Sequence, residues 1–209
     1  MLKVVTPAAD LALVDIERLR LAAGLAANDA SRDAELGPLG LRLSADIVQA
    51  CRVATGNGAE PTLRQETLEE TFRYPRTSAL MLSRRHKVEI VSITINGQLL
   101  DAELYWVDEE SGIVRLVSGF WWGGLIVVTY KAGFEEVPDD LAGTVADFAR
   151  IRLSEGSRDP LVRGQSTEVP GVLTERTDYW VGSVPGQKVG GIPGSILAQL
   201  RRYKNLAMV

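Results

Sequence analysis

His86 and Cys51 are the only histidine and the only cysteine among the 209 residues, so nucleophile, relay and metal chemistries have little material to work with. A His-rich metal centre or a cysteine-rich zinc site needs several such ligands, and a Ser-His-Asp relay would have to rest on His86 alone. His86 lies in the basic run Ser83-Arg84-Arg85-His86-Lys87 with no acid or nucleophile motif beside it, and it reads as a solvated loop histidine. Cys51 falls on the apolar side of a helix with Ile47 and Val48, and it reads as a small buried hydrophobe rather than a thiolate.

The clusters Asp108-Glu109-Glu110, Glu135-Glu136 and Asp139-Asp140 could imitate a cation or glycosidase site. Adjacent carboxylates diverge on a turn, however, and no calcium-loop spacing is present, so turn solvation and helix capping account for them. Gly119 to Gly124 and Gly190-Gly191 lack the frames that cradle phosphate. Trp121 and Trp122 could stack on a sugar or base, or offer a hydrophobic contact to a neighbouring chain. The sequence therefore assigns no catalytic, metal-binding or cofactor-binding residue, and the chain is read as a non-enzyme that carries no cofactor.

Thr6-Pro7 reads as the opening of a helix over about 6–22, ended by Gly24. Residues 28–43 hold Gly37-Pro38 and Gly40 and read as a broken helix or loop; Ser44 then caps a helix over about 44–56. From Pro61 onward the pattern turns to β-branched and aromatic runs, which predicts an antiparallel meander over 62–131, with Asn96-Gly97 as a type I′ turn. Pro138-Asp139-Asp140 opens a third helix, 138–155, with Leu141, Val145, Phe148 and Leu153 as its stripe. Residues 156–194 hold eight Gly and four Pro, which predicts an extended arm; Pro193 then opens a short helix with Ile196, Leu197 and Leu200 on one face. The expected fold class is α+β: a small helical bundle with an inserted antiparallel β-sheet and an extended C-terminal arm ending in a short helix. The core spans 1–155 and the arm 156–209.

Hydrophobic residues at 45% and charged residues at 24% fit a globular, soluble chain, and no apolar run approaches a membrane span or a secretory signal. The net charge of −4 argues against a nucleic-acid-binding surface. It is unevenly placed: residues 161–209 carry six basic and three acidic side chains, so the tail is +3 and residues 1–160 are −7. An acidic body with a basic end suggests a tail that meets something acidic.

The order Tyr105-Trp106-Val107-Asp108, Ser111-Gly112-Ile113-Val114, Val127-Val128-Thr129-Tyr130-Lys131-Ala132-Gly133-Phe134 and Val137-Pro138-Asp139-Asp140-Leu141 resembles the head–tail connector (adaptor) proteins of tailed bacteriophages. Relatives of that family occur in prophages and gene transfer agents. The two N-terminal helices, Arg158-Asp159-Pro160, and the ending Ile192-Pro193 with Leu197, Leu200 and Tyr203 also resemble it. The resemblance implies a structural protein of the virion neck, assembled in the bacterial cytoplasm as a ring of twelve copies under the portal protein. Such a ring extends the DNA channel, passes DNA without sequence-specific binding and meets a stopper or tail-completion protein. It implies a C-terminal portal anchor, here Ile196, Leu197, Leu200, Arg201, Arg202, Tyr203 and Lys204, with the cations facing portal acids. Trp121, Trp122, Tyr179 and Trp180 become candidates for inter-subunit or tail-side contact. The alternatives are a stopper or tail-completion protein, and a small β-rich ligand-binding module using Trp106, Trp121 and Trp122.

Overall fold

The computed structural model describes residues 1–156, 164–169, 173–178 and 191–205. Strands β1 (Leu2–Thr6), β2 (Glu66–Arg73), β4 (Glu89–Ile95), β5 (Gln98–Leu99) and β8 (Leu125–Ala132) form one antiparallel sheet in the order β1-β2-β8-β4-β5. Strands β3 (Ala79–Met81), β6 (Tyr105–Asp108) and β7 (Ile113–Leu116) form a second, in the order β3-β7-β6. Three helices, α1 (Ile16–Ala22), α2 (Asp33–Ala50) and α3 (Asp139–Gly156), pack together beside them. The architecture is thus mixed α+β with antiparallel sheets, as the sequence predicts. Among the described residues no helix is long and apolar enough to cross a membrane.

Two N-terminal expectations need correction. Thr6 does not cap a helix; it ends β1, which pairs with β2 from Leu2↔Glu70 onward. α1 begins ten residues later, where the Asp15 carboxylate accepts from the Arg18 N–H at 2.7 Å. The second helix starts at Asp33 rather than 44 and runs through Pro38. Its stripe of Leu36, Gly40, Leu43, Ser44, Ile47 and Val48 is buried, and that burial outweighs the local breakers. Gly40 is a crossing point rather than a stop: a Cβ there would lie 2.6 Å from the Leu19 side chain.

The β segment is antiparallel but not a simple meander. β2 pairs along its whole length with β8, from Glu66↔Ala132 to Arg73↔Leu125, and β8 lies at the centre of its sheet. Strand β8 is buried on alternate residues, Ile126, Val128, Tyr130 and Ala132, which fits its apolar sequence. Asn96 and Gly97 both take positive φ, 51° and 83°, as a type I′ turn requires.

Two apolar cores result, one among the helices and one between the sheets. The first gathers Leu13, Leu36, Ile47, Val145 and Phe148; the second gathers Leu68, Ile93, Val114, Trp122 and Val128. Each fully buried side chain of this size contributes roughly 1.5–3 kcal/mol.

The C-terminal arm is also corrected in part. It contains a hairpin of β9 (Gly164–Val169) and β10 (Leu173–Asp178), paired from Leu173↔Val169 to Asp178↔Gly164. The last described segment, 191–205, holds α4 (Gly194–Gln199) and a 3-10 turn (Leu200–Tyr203). It joins the helical core instead of standing apart: Ile192, Ile196, Leu200 and Tyr203 are all buried there.

Candidate functional site

The motif running from β8 into α3 builds the junction between the two cores. After Ala132, Gly133 takes a φ of 99°, and an added Cβ would lie 2.4 Å from the Arg64 carbonyl oxygen. Only glycine fits that backbone approach. The Gly133 N–H donates to His86 O at 2.8 Å, and the Phe134 N–H donates to Leu63 O at 2.8 Å. The chain then enters α3 through Val137-Pro138, with Asp139 and Asp140 in the first turn.

The C-terminal segment closes onto this junction. Phe134 stacks on His86 with centroids 5.4 Å apart, and Tyr203 meets both rings edge-on at 5.8 Å. The Tyr203 hydroxyl donates to the Asp140 carboxylate at 2.8 Å, and Arg202 pairs with the same carboxylate. Burial and that carboxylate push the Tyr203 hydroxyl up to about 12. The Asn205 N–H donates to Cys51 O at 2.8 Å, and its side-chain amide donates to Ser83 O at 2.9 Å. At the other end of the segment, Arg152 donates to Gly191 O at 3.0 Å.

A buried polar layer lies under this contact. Arg84 and Glu66 face each other at 3.1 Å with side chains only 5% and 2% exposed, and Arg84 also donates to Thr62 O at 2.5 Å. Burial lowers the Arg84 pKa and raises that of Glu66, in each case against the attraction of the partner. Glu70 accepts from the Ser83 N–H and hydroxyl at 2.9 and 2.5 Å and from the Tyr130 hydroxyl at 3.1 Å. The alternation of Glu66, Leu68 and Glu70 was a usable signal for this layer. Three residues at i, i+2 and i+4 share one strand face, and Leu68 belongs inside.

His86 is therefore not a solvated loop residue. It sits between two aromatic rings with a φ of 68°, and its ring nitrogens face Glu110 and Tyr203 O across long contacts of 3.4 Å. Cys51 is buried as expected, and burial pushes its thiol up to about 12. Of the carboxylate runs, Asp108 acts as the expected turn residue, accepting from the Glu110 and Ser111 N–H groups at 3.1 and 3.3 Å, whereas Asp139 and Asp140 pair with Arg18 and Arg202. Among the described residues no group of three or more His, Cys, Asp or Glu could hold a metal ion.

The candidate anchor is divided. Ile196, Leu200 and Tyr203 are turned into the chain's own core, Leu197 is half-buried against it, and Arg202 is engaged by Asp140. Arg201 is exposed and Lys204 half-buried. The groove that receives the apolar face thus belongs to the same chain. Trp121 and Trp122 also part company: Trp121 is 68% exposed, whereas Trp122 is 1% exposed in the sheet core. That split removes Trp122 as a contact residue and breaks up the Trp106, Trp121 and Trp122 platform. Tyr179 and Trp180 lie outside the described residues.

Neighbours of Trp121 that sequence reading passed over complete an apolar tip. Tyr74 and Phe120 are 72% and 74% exposed, and Leu125 opens β8 beside them. The Tyr74 N–H donates to Gly124 O at 2.8 Å, and Thr77 bridges Trp122, so the β2–β3 and β7–β8 loops form one surface. A scan against protein-family models returns no match, and a search of curated proteins finds none either.

Proposed function

We propose that the chain is a head–tail adaptor of a tailed phage or phage-like particle, a structural ring component beneath the portal rather than an enzyme. The observation that carries this reading is the resemblance-bearing stretch from Val127 to Leu141. It is one continuous β8-to-α3 junction on which the C-terminal segment docks. Its Gly133 and Phe134 are fixed by backbone approach and ring stacking, which gives the short motif a physical reason to keep its order. The acidic body and basic tail support it as well, since an acidic channel wall would not hold the phosphate backbone of passing DNA.

Because the apolar face of the last helix is occupied, the portal contact of that segment falls to its basic side, the exposed Arg201 and the half-buried Lys204. Those cations set orientation and on-rate against an acidic portal surface. Virion assembly without this gene tests the role. The reading expects DNA-filled heads and free tails that do not join, restored by the wild-type gene supplied in trans. Normal tailed particles in its absence would refute it.

A further inference from the structure

The two ends of the sheets carry complementary surfaces. At the end away from the helices, the tip of Tyr74, Phe120, Trp121 and Leu125 is flanked by Arg73 and Arg76, both exposed and without an ion pair among the described residues. No carboxylate occurs in residues 71–81 or 111–126, so the tip is apolar and basic on a chain of net charge −4. Exposed Trp, Tyr and Arg together are the residue types that anchor protein interfaces.

At the opposite end, where β8 runs on to α3, a cleft of about 350 Å³ opens between the residues before α1 and the β8–α3 loop. Its floor is apolar, with Leu13, Val14, Val137 and Ala142, and its rim carries the exposed carboxylates Asp10, Asp15, Glu135 and Glu136. Arg18 and Arg64 also line it, and Arg18 is held by Asp15 at 3.2 Å and Asp139 at 2.5 Å; the four carboxylates outnumber the two guanidiniums, so the rim keeps its negative sign. The eight residues of β8 set the two ends roughly 26 Å apart. The larger cleft beside α1, about 820 Å³, sets one lining carboxylate, Glu35, among Arg32, Arg150 and Arg152, so it offers no acidic rim to an arginine-flanked knob.

We propose that the tip of one copy seats in the acidic cleft of the next, so that the chain associates with itself head to tail. Two tips facing each other would oppose like charges, which disfavours a symmetric dimer through this surface. A tip in a cleft buries the exposed rings on an apolar floor and places Arg73 and Arg76 at the rim carboxylates. Each added copy leaves one tip and one cleft free, and such heterologous contacts close into rings when the rotation allows. The proposal rests on the adaptor reading for ring closure alone; the contact itself is tested with no portal present.

The experiment is sedimentation velocity on the full chain and on two charge-reversal variants, Arg73→Glu with Arg76→Glu, and Glu135→Arg with Glu136→Arg. All four positions are exposed, so circular dichroism should match the wild type. The wild type should associate in a salt-sensitive manner, and each variant alone should associate at least ~10-fold more weakly. An equal mixture of the two variants should recover the association, because each then meets a surface of opposite sign. A wild type that stays monomeric well above micromolar concentration, variants that assemble like wild type, or a mixture that fails to recover would each overturn the proposal. Quenching of tryptophan fluorescence by an oligo-dT strand that is lost in Trp121→Ala, with the wild type monomeric, would assign the tip to nucleic acid and overturn it too. Portal binding by a monomeric wild type would leave the adaptor reading standing while this contact falls.

Discussion

Arg84 and Glu66 form a charged pair with almost no solvent contact, and their environment dictates how the protein responds to losing either one. Arg84→Ala leaves a buried carboxylate without its cation, which should cost about 3–5 kcal/mol in urea unfolding near neutral pH. Burial already holds the Glu66 carboxyl above its usual range, so the folded chain binds that proton more tightly than the unfolded chain. The stability tied to this proton is fully present below the unfolded pKa and is lost as pH rises through the folded one. The Arg84→Ala penalty should therefore shrink as pH falls to where Glu66 is protonated; a penalty constant with pH would contradict the assignment. Gly133 makes a second residue-level case. Gly133→Ala forces a side chain into positive φ against the Arg64 carbonyl, and the conformation alone should cost about 1–3 kcal/mol. An unchanged urea midpoint would show that the junction relaxes.

At the scale of elements, the C-terminal segment is part of the body's core. Leu200 is fully buried, and Leu200→Ala should lower stability by about 2–5 kcal/mol. Asn205 donates its N–H to the Cys51 carbonyl, and Cys51 is the only thiol, so its labelling rate by a thiol reagent reports the closure of this segment. Labelling should be slow in the wild type and faster in Leu200→Ala; equal rates would mean that the segment does not cover Cys51. α3 was legible because Pro138, two acidic residues and a clean stripe agree with one another. α2 was not, because Gly37, Pro38 and Gly40 signal a break while tertiary burial of Leu36 and Leu43 overrides it. The strand from Leu2 to Thr6 was hidden because its partner, β2, lies more than sixty residues away, and pairing at that distance leaves no local trace. For the candidate site, residue type does not separate exposed Trp121 from buried Trp122, but the apolar face of the last helix could be read from it. Which surface the helix would choose could not, since the groove is assembled from α2, α3 and the β8–α3 loop.

For the whole molecule, the helical core, the sheet core and the docked tail form a body that presents charge at defined places: an arginine-flanked aromatic tip, an acidic cleft, and the basic side of the last helix. Such an arrangement suits the proposed adaptor role, in which the chain would meet copies of itself and the portal. The most direct measurement is co-sedimentation of the full chain with the portal ring from the same genome, beside Arg201→Glu with Lys204→Glu. The account predicts that the wild type pellets with the portal and that the double variant, folded to the same stability, binds at least ~10-fold more weakly. No co-sedimentation of the wild type at concentrations well above micromolar would contradict it.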